Sequence, residues 1–224
     1  MQILLPGLCG AAIGWALKVL CDRLEGLLLR RRGLSFEQSP AESAALTAAM
    51  AVFGAAIAIL VPFSAETLYM FLLLAAAELT AATDTRYRII PNDVILALFI
   101  VRLGFGLPSL FGAKGLPVFH WQWSLVGMAV CFIIFLLPAL QKKNVGAGDL
   151  KLAAAMGFCL ELKGGLFAIV LMGLFVLGYT LMQRRVPALK FMKSLVPMGP
   201  FLSAGMVAVL LLQKIELFAA ILSM

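Results

Sequence analysis

Two aspartates, Asp84 and Asp149, stand where apolar runs meet polar sequence. Two carboxyl groups held close together cannot both ionise readily, so one proton is shared between them. The ionised member can draw a proton from water while the protonated member polarises a scissile carbonyl. That chemistry hydrolyses a peptide bond without a metal and without a covalent intermediate. The chain has one histidine, His120, which excludes a His-rich zinc site and argues against a serine–histidine mechanism.

The surroundings of each aspartate bear on this reading. Asp149 follows two glycines in Gly146-Ala147-Gly148-Asp149-Leu150-Lys151. Glycine adopts positive φ without steric cost and admits another backbone closely, so an extended substrate fits beside Asp149. At the start of a helix Asp149 is favoured in its ionised form by the positive dipole end. Asp84 ends its apolar run and feels the opposite end, countered by Arg86 and Arg88. The pair is therefore expected to titrate together, with Asp149 ionised and Asp84 protonated. Taken alone, each acid has a plainer reading. Asp149 reads as a helix N-cap, Asp84 as a polar cap flanked by headgroup arginines, and Asp93 as the cap of the run after Pro91-Asn92. Glu78 reads as an interhelical hydrogen-bonding residue. A GxGD tetrapeptide is weak on its own.

The elements that must position these groups are membrane helices. Of 224 residues, 63% are hydrophobic and 13% charged, with a mean hydropathy of +1.05. Soluble domains run at roughly 45–50% apolar and about 25% charged. The net charge of +7 needs no nucleic acid, because basic residues gather on the cytoplasmic side of spanning helices. Acids inside or at the edge of spans are costly and point to function. Here they are Glu78, Asp84, Asp93, Asp149 and Glu216.

A crossing takes about 20 mainly apolar residues, which predicts an all-α polytopic bundle of about eight transmembrane helices. The expected spans are residues 3–21, 43–62, 66–84, 92–111, 121–140, 149–160, 163–182 and 197–220, the sixth being short. Eight crossings put Arg23, Arg30, Arg31, Arg32, Arg86, Arg88, Lys142, Lys143, Arg184, Arg185, Lys190 and Lys193 on one side. Little beyond Lys114, Lys163 and Lys214 falls on the other. The positive-inside rule then makes the rich side cytoplasmic and places both termini outside. Asp84 and Asp149 share the cytoplasmic boundary. Without the sixth span, the last four basic residues would fall outside. Trp121 and Trp123 fit an outer aromatic belt, with His120 a surface residue beside them. The N-terminal run lacks a cleavage signal and is expected to persist as a helix. Cys9, Cys21, Cys131 and Cys159 form no CxxC pair and read as apolar packing residues.

Three features together resemble the type IV prepilin peptidases, membrane aspartic proteases of the GxGD class. They are Asp84 seven residues before Pro91 in DTRYRIIPN, Asp149 in GAGDLKL, and Pro197-Met198-Gly199-Pro200-Phe201, similar to a P-x-G-P start of the last span. Gly10-Ala11-Ala12-Ile13-Gly14 looks more loosely like the first helix of the bacterial form. The resemblance implies catalytic roles for Asp84 and Asp149, with Gly146, Gly148, Pro91, Asn92, Lys151, Pro197, Gly199 and Pro200 as substrate-binding or loop residues, and neither metal nor cofactor. Substrates would be prepilins or pseudopilins, with a basic leader ending in glycine and then an apolar helix. Cleavage would occur at the cytoplasmic face of the cell membrane. Glu37, Glu42 and Asp93 are the acidic contacts available to such a leader. The expected parts are an N-terminal helix and loop, 1–42, and a peptidase domain, 43–224. Larger bacterial members carry a zinc-binding loop with paired CxxC motifs between the first two spans. Its absence here leaves N-methyltransferase activity without its usual support. Two other readings are a small proton-coupled transporter using Glu78, Asp84 and Asp149 as relays, and a non-catalytic assembly factor. No inverted repeat supports the first, and retention of both aspartates argues against the second.

Overall fold

A computed structural model describes residues 4–35, 38–112, 116–140, 146–182 and 197–215. Glu37, Lys114, Lys142, Lys143, Arg184, Arg185, Lys190, Lys193 and Glu216 lie outside these. The described residues form seven helices: α1 (Leu4–Arg30), α2 (Pro40–Leu60), α3 (Ala65–Tyr87), α4 (Asn92–Leu110), α5 (Trp121–Leu140), α6 (Ala147–Met182) and α7 (Gly199–Leu212). The first six are long and apolar enough to cross a membrane, and α7 is a shorter apolar helix.

Helix ends follow local chemistry. Helix α2 begins at Pro40, whose fixed φ suits the first helical position. The Ser39 hydroxyl before it accepts the Glu42 amide at 3.2 Å. Helix α1 runs nine residues beyond the expected end at Cys21, because Cys21, Glu25 and Leu29 continue its buried face and carry it through Gly26. Helix α3 passes Asp84 and ends at Tyr87, where Arg88 takes a positive φ of 54° and Pro91 follows. Asp84 therefore lies in the last turn of its helix and does not end it.

The fold divides into two compact units. The first comprises Met1–Leu79, Leu96–Phe119 and Leu210–Met224. Within it α1 and α2 meet backbone to backbone through Gly10 and Gly14. A methyl group on Gly10 would stand 2.3 Å from the Gly54 carbonyl oxygen, and one on Gly14 would stand 2.1 Å from that of Met50. In lipid, where apolar side chains gain little by leaving their surroundings, such close approach is how helices associate. Charged groups are buried here too. Lys18 pairs with Asp22 one turn along α1 and with Glu78 of α3 at 3.6 Å. Arg102 of α4 stands over the rings of Phe119 and Tyr69, 4.9 and 6.0 Å from their centroids, and donates to the Val118 carbonyl.

The second unit comprises Thr80–Ile95 and His120–Val209. Its frame is α5 against α6, and α6 is not straight. At Glu161 the backbone leaves the helical region, with φ 62° and ψ −178°. Eight residues of continuous helix separate Cα atoms by about 12 Å. Yet a methyl on Gly165 would stand 3.1 Å from the Gly157 Cα. The chain thus reverses at Glu161, and α6 is a hairpin of two arms, 147–160 and 162–182. Counted so, the described helices supply the eight apolar segments expected. Gly127 and Cys131 of α5 fill the crook: the carbonyl oxygens of Gly127 and Gly157 each lie within 2.5 Å of where the other's Cβ would be.

The reversal carries strain, because φ near +60° with ψ near 180° is nearly a glycine-only conformation and costs other residues about 1–3 kcal/mol. What holds Glu161 there is its carboxylate, which accepts the His120 amide at 3.1 Å and meets the His120 ring Nδ1 at 3.2 Å. His120 is exposed, as expected, but it also pins this turn. Glu161→Gly loses the carboxylate and relieves the strain, whereas Glu161→Ala loses the carboxylate and keeps it. The glycine variant should therefore be the more stable of the two by on the order of 1 kcal/mol in denaturant titration. Equal midpoints would show the turn to be unstrained.

Candidate active site

Asp84 and Asp149 lie in the same compact unit, carried by α3 and α6. Their turns are brought together by Ile90, six residues after Asp84, which lies against Gly148, the residue before Asp149. Asp84 is buried, with 6% of its surface exposed. Its Oδ2 accepts the amide of Gly199, the first residue of α7, at 2.8 Å. The two residues are 115 positions apart in the chain.

Asp149 is partly exposed in the first turn of α6. It is not the N-cap. That place falls to Gly146, just outside the helix, whose carbonyl accepts the amides of Asp149 and Leu150. Asp149 instead reaches back, its Oδ2 accepting the Gly146 amide at 3.1 Å. This is the returning arm of a capping box, with aspartate in the place of glutamate.

The glycines of the motif act through space and not through positive φ. Among the described glycines only Gly33 and Gly112 have positive φ. Gly148 is small because Ile90 lies over it: a methyl there would stand 3.1 Å from the Ile90 Cβ. The loop between α3 and α4 thus rests on the first turn of α6. Three residues after Gly148, Lys151 donates to the Asn92 side-chain oxygen at 3.1 Å, tying the start of α4 to the same end of α6. Pro91 supplies the carbonyl that accepts the amides of Val94 and Ile95 at the head of α4.

Of the remaining expected residues, Pro197 precedes α7 and Pro200 is its second residue, where a missing amide costs nothing. Asp93 occupies the first turn of α4. Glu78 belongs to the ion pairs of the first unit. Among the described residues no three His, Cys, Asp or Glu side chains converge as metal ligands.

Two carboxyl groups in one compact unit, each with one oxygen held by a backbone amide, form an arrangement that a water-activating pair can use. Residues 67–181, just over half of the chain, match the model of the type IV leader peptidase family. The chain belongs to that family. The match includes Asp84, Asp149 and the Glu161 hairpin. A curated relative, the prepilin leader peptidase/N-methyltransferase of Bacillus subtilis (strain 168), is 33% identical over 87 residues, covering 38% of this chain and 32% of the relative. The similarity thus spans about a third of that relative's length. No solved structure matches significantly. Family and apolar helices together make the chain a multi-pass membrane protein.

Proposed function

We propose that this leader-peptidase family member is an aspartic endopeptidase that removes the basic leader from prepilins or pseudopilins. Asp84 and Asp149 activate the water, within a peptidase domain of residues 43–224. The observation that supports the reading is the placing of these two carboxyl groups in one unit, each held by a glycine amide, with Ile90 of the loop after Asp84 seated on Gly148 beside Asp149. Attack on the scissile carbonyl passes one proton from water to the ionised aspartate. The protonated aspartate hydrogen-bonds the carbonyl oxygen, and the amine leaves with a proton returned by the pair. No further group need enter the balance.

The charge asymmetry of the sequence supports a site on the cytoplasmic side of the cell membrane, with both termini outside. The loop joining α1 to α2 contains no cysteine, so methylation of the trimmed product is left out of the proposal.

The test is a cleavage assay in liposomes. The substrate is a peptide with a lysine-rich leader ending in glycine, followed by an apolar helix, and products are read by mass spectrometry. One cut after the glycine is expected, by the purified chain alone and in the presence of a chelator. An intact substrate, with proton flux across the same liposomes, would overturn the proposal in favour of the transporter reading.

A further inference from the structure

We infer that Gly199 is the positioning residue of the dyad. Its amide locks Oδ2 of Asp84 and so leaves Oδ1 as the oxygen that meets the water. The inference rests on the reading of Asp84 as catalytic and adds a role for a residue on a third helix.

Three observations converge on it. The first is the bond itself: Gly199 N to Asp84 Oδ2 is 2.8 Å, with the acceptor buried. An oxygen engaged by a buried amide is committed as an acceptor, and in a site shielded from water such a bond is stronger than at a surface. The second is its place. Gly199 opens α7, so its amide is one of the donors a helix start leaves without an internal partner. Asp84 satisfies that donor, and the positive end of α7 faces the carboxylate. This offsets the negative end of α3, in whose last turn Asp84 lies.

The third is space. A methyl on Gly199 would stand 2.7 Å from Cβ, 2.8 Å from Oδ2 and 2.9 Å from Cγ of Asp84. Only glycine brings an amide this close without displacing the carboxyl group it holds. Asp84 cannot yield freely, since its own Cβ is among the atoms struck. The carboxyl plane is fixed by α7 as firmly as by α3.

The test compares Gly199→Ala, which keeps the amide but adds the methyl, with Gly199→Pro, which also removes the amide. Gly178→Ala serves as the control, because a methyl there meets nothing within 4 Å. The readouts in liposomes are kcat and KM for leader cleavage, alongside the folded fraction. Misplacing a reacting group by about 1 Å costs on the order of a hundredfold in rate. Both Gly199 variants should lose kcat on that order while KM stays within about twofold. Gly178→Ala should match wild type. If Gly199→Pro does not fold, glycolic acid at position 199, which swaps the amide for an ester oxygen and adds no side chain, removes the donor alone. Wild-type kcat in a folded variant lacking the amide would overturn the inference, as would kcat falling only in step with the folded fraction. Failure of the dyad reading looks different, since Asp84→Asn would then cleave at the wild-type rate.

Discussion

Asp84→Asn and Asp149→Asn should each abolish leader cleavage, with kcat falling by on the order of 10⁴-fold. Asparagine keeps the size of the side chain and one acceptor oxygen. The Gly199 amide can still be satisfied in the first variant and the Gly146 amide in the second, so both should fold. What each loses is the group that exchanges a proton. The double variant should be no slower than either single one, because neither carboxyl group has a task without the other. Substrate binding should persist, so the inactive proteins are expected to retain the peptide in pull-down from detergent. Additive losses in the double variant, or cleavage by one single variant at even a tenth of the wild-type rate, would show that the aspartates do not act as a unit.

Gly157→Ala should be among the most damaging conservative changes in the chain, destabilising by on the order of 3 kcal/mol. The added methyl would stand 2.3 Å from the Gly127 carbonyl oxygen, 2.7 Å from that residue's carbonyl carbon and 2.8 Å from the Cys131 sulfur. Two of the three are backbone atoms, which cannot rotate away. Helix α5 would have to back off from the whole hairpin. The same exchange at Gly178, a position open on all sides, should be neutral or stabilising by up to about 1 kcal/mol, since alanine is the better helix former. Equal unfolding midpoints for the two variants would mean that α5 and α6 are not closely apposed at Gly157.

These cases also show where the sequence was informative. The apolar runs announced the helices because a crossing imposes a length, and Trp121–Leu140 falls on the expected residues. The two acids at run boundaries were legible because charge is rare in such a composition. Other features depend on what lies opposite, which spacing does not report. Lys18 and Arg102 sit inside apolar runs, and nothing in their spacing announces Glu78, Tyr69 and Phe119 as their neighbours. Nothing in Gly-Pro-Phe announces an amide bound for Asp84, because the distance between them in the chain carries no periodicity. The expectation of positive φ at Gly146 and Gly148 followed from what glycine permits, whereas the fold uses its lack of a side chain beneath Ile90. Conversely, the break between 160 and 163 was legible in the end of an apolar run, but the reversal turns on Glu161, a residue type that disfavours its conformation, and not on Gly164 or Gly165.

The first arm of the α6 hairpin, residues 147–160, is only about 21 Å long at the helical rise per residue, against roughly 30 Å of hydrocarbon in a bilayer. With its Glu161 end at one membrane surface, its other end falls about 9 Å short of the opposite one. From Leu152 to Leu160 this arm is nearly all buried within the protein, so lipid does not close over the shortfall and water can enter it. The place where such a recess would form is the turn that carries Asp149. The brevity of one helical arm would thus draw the water needed for hydrolysis down to a carboxyl group that a full-length helix would hold at the headgroups.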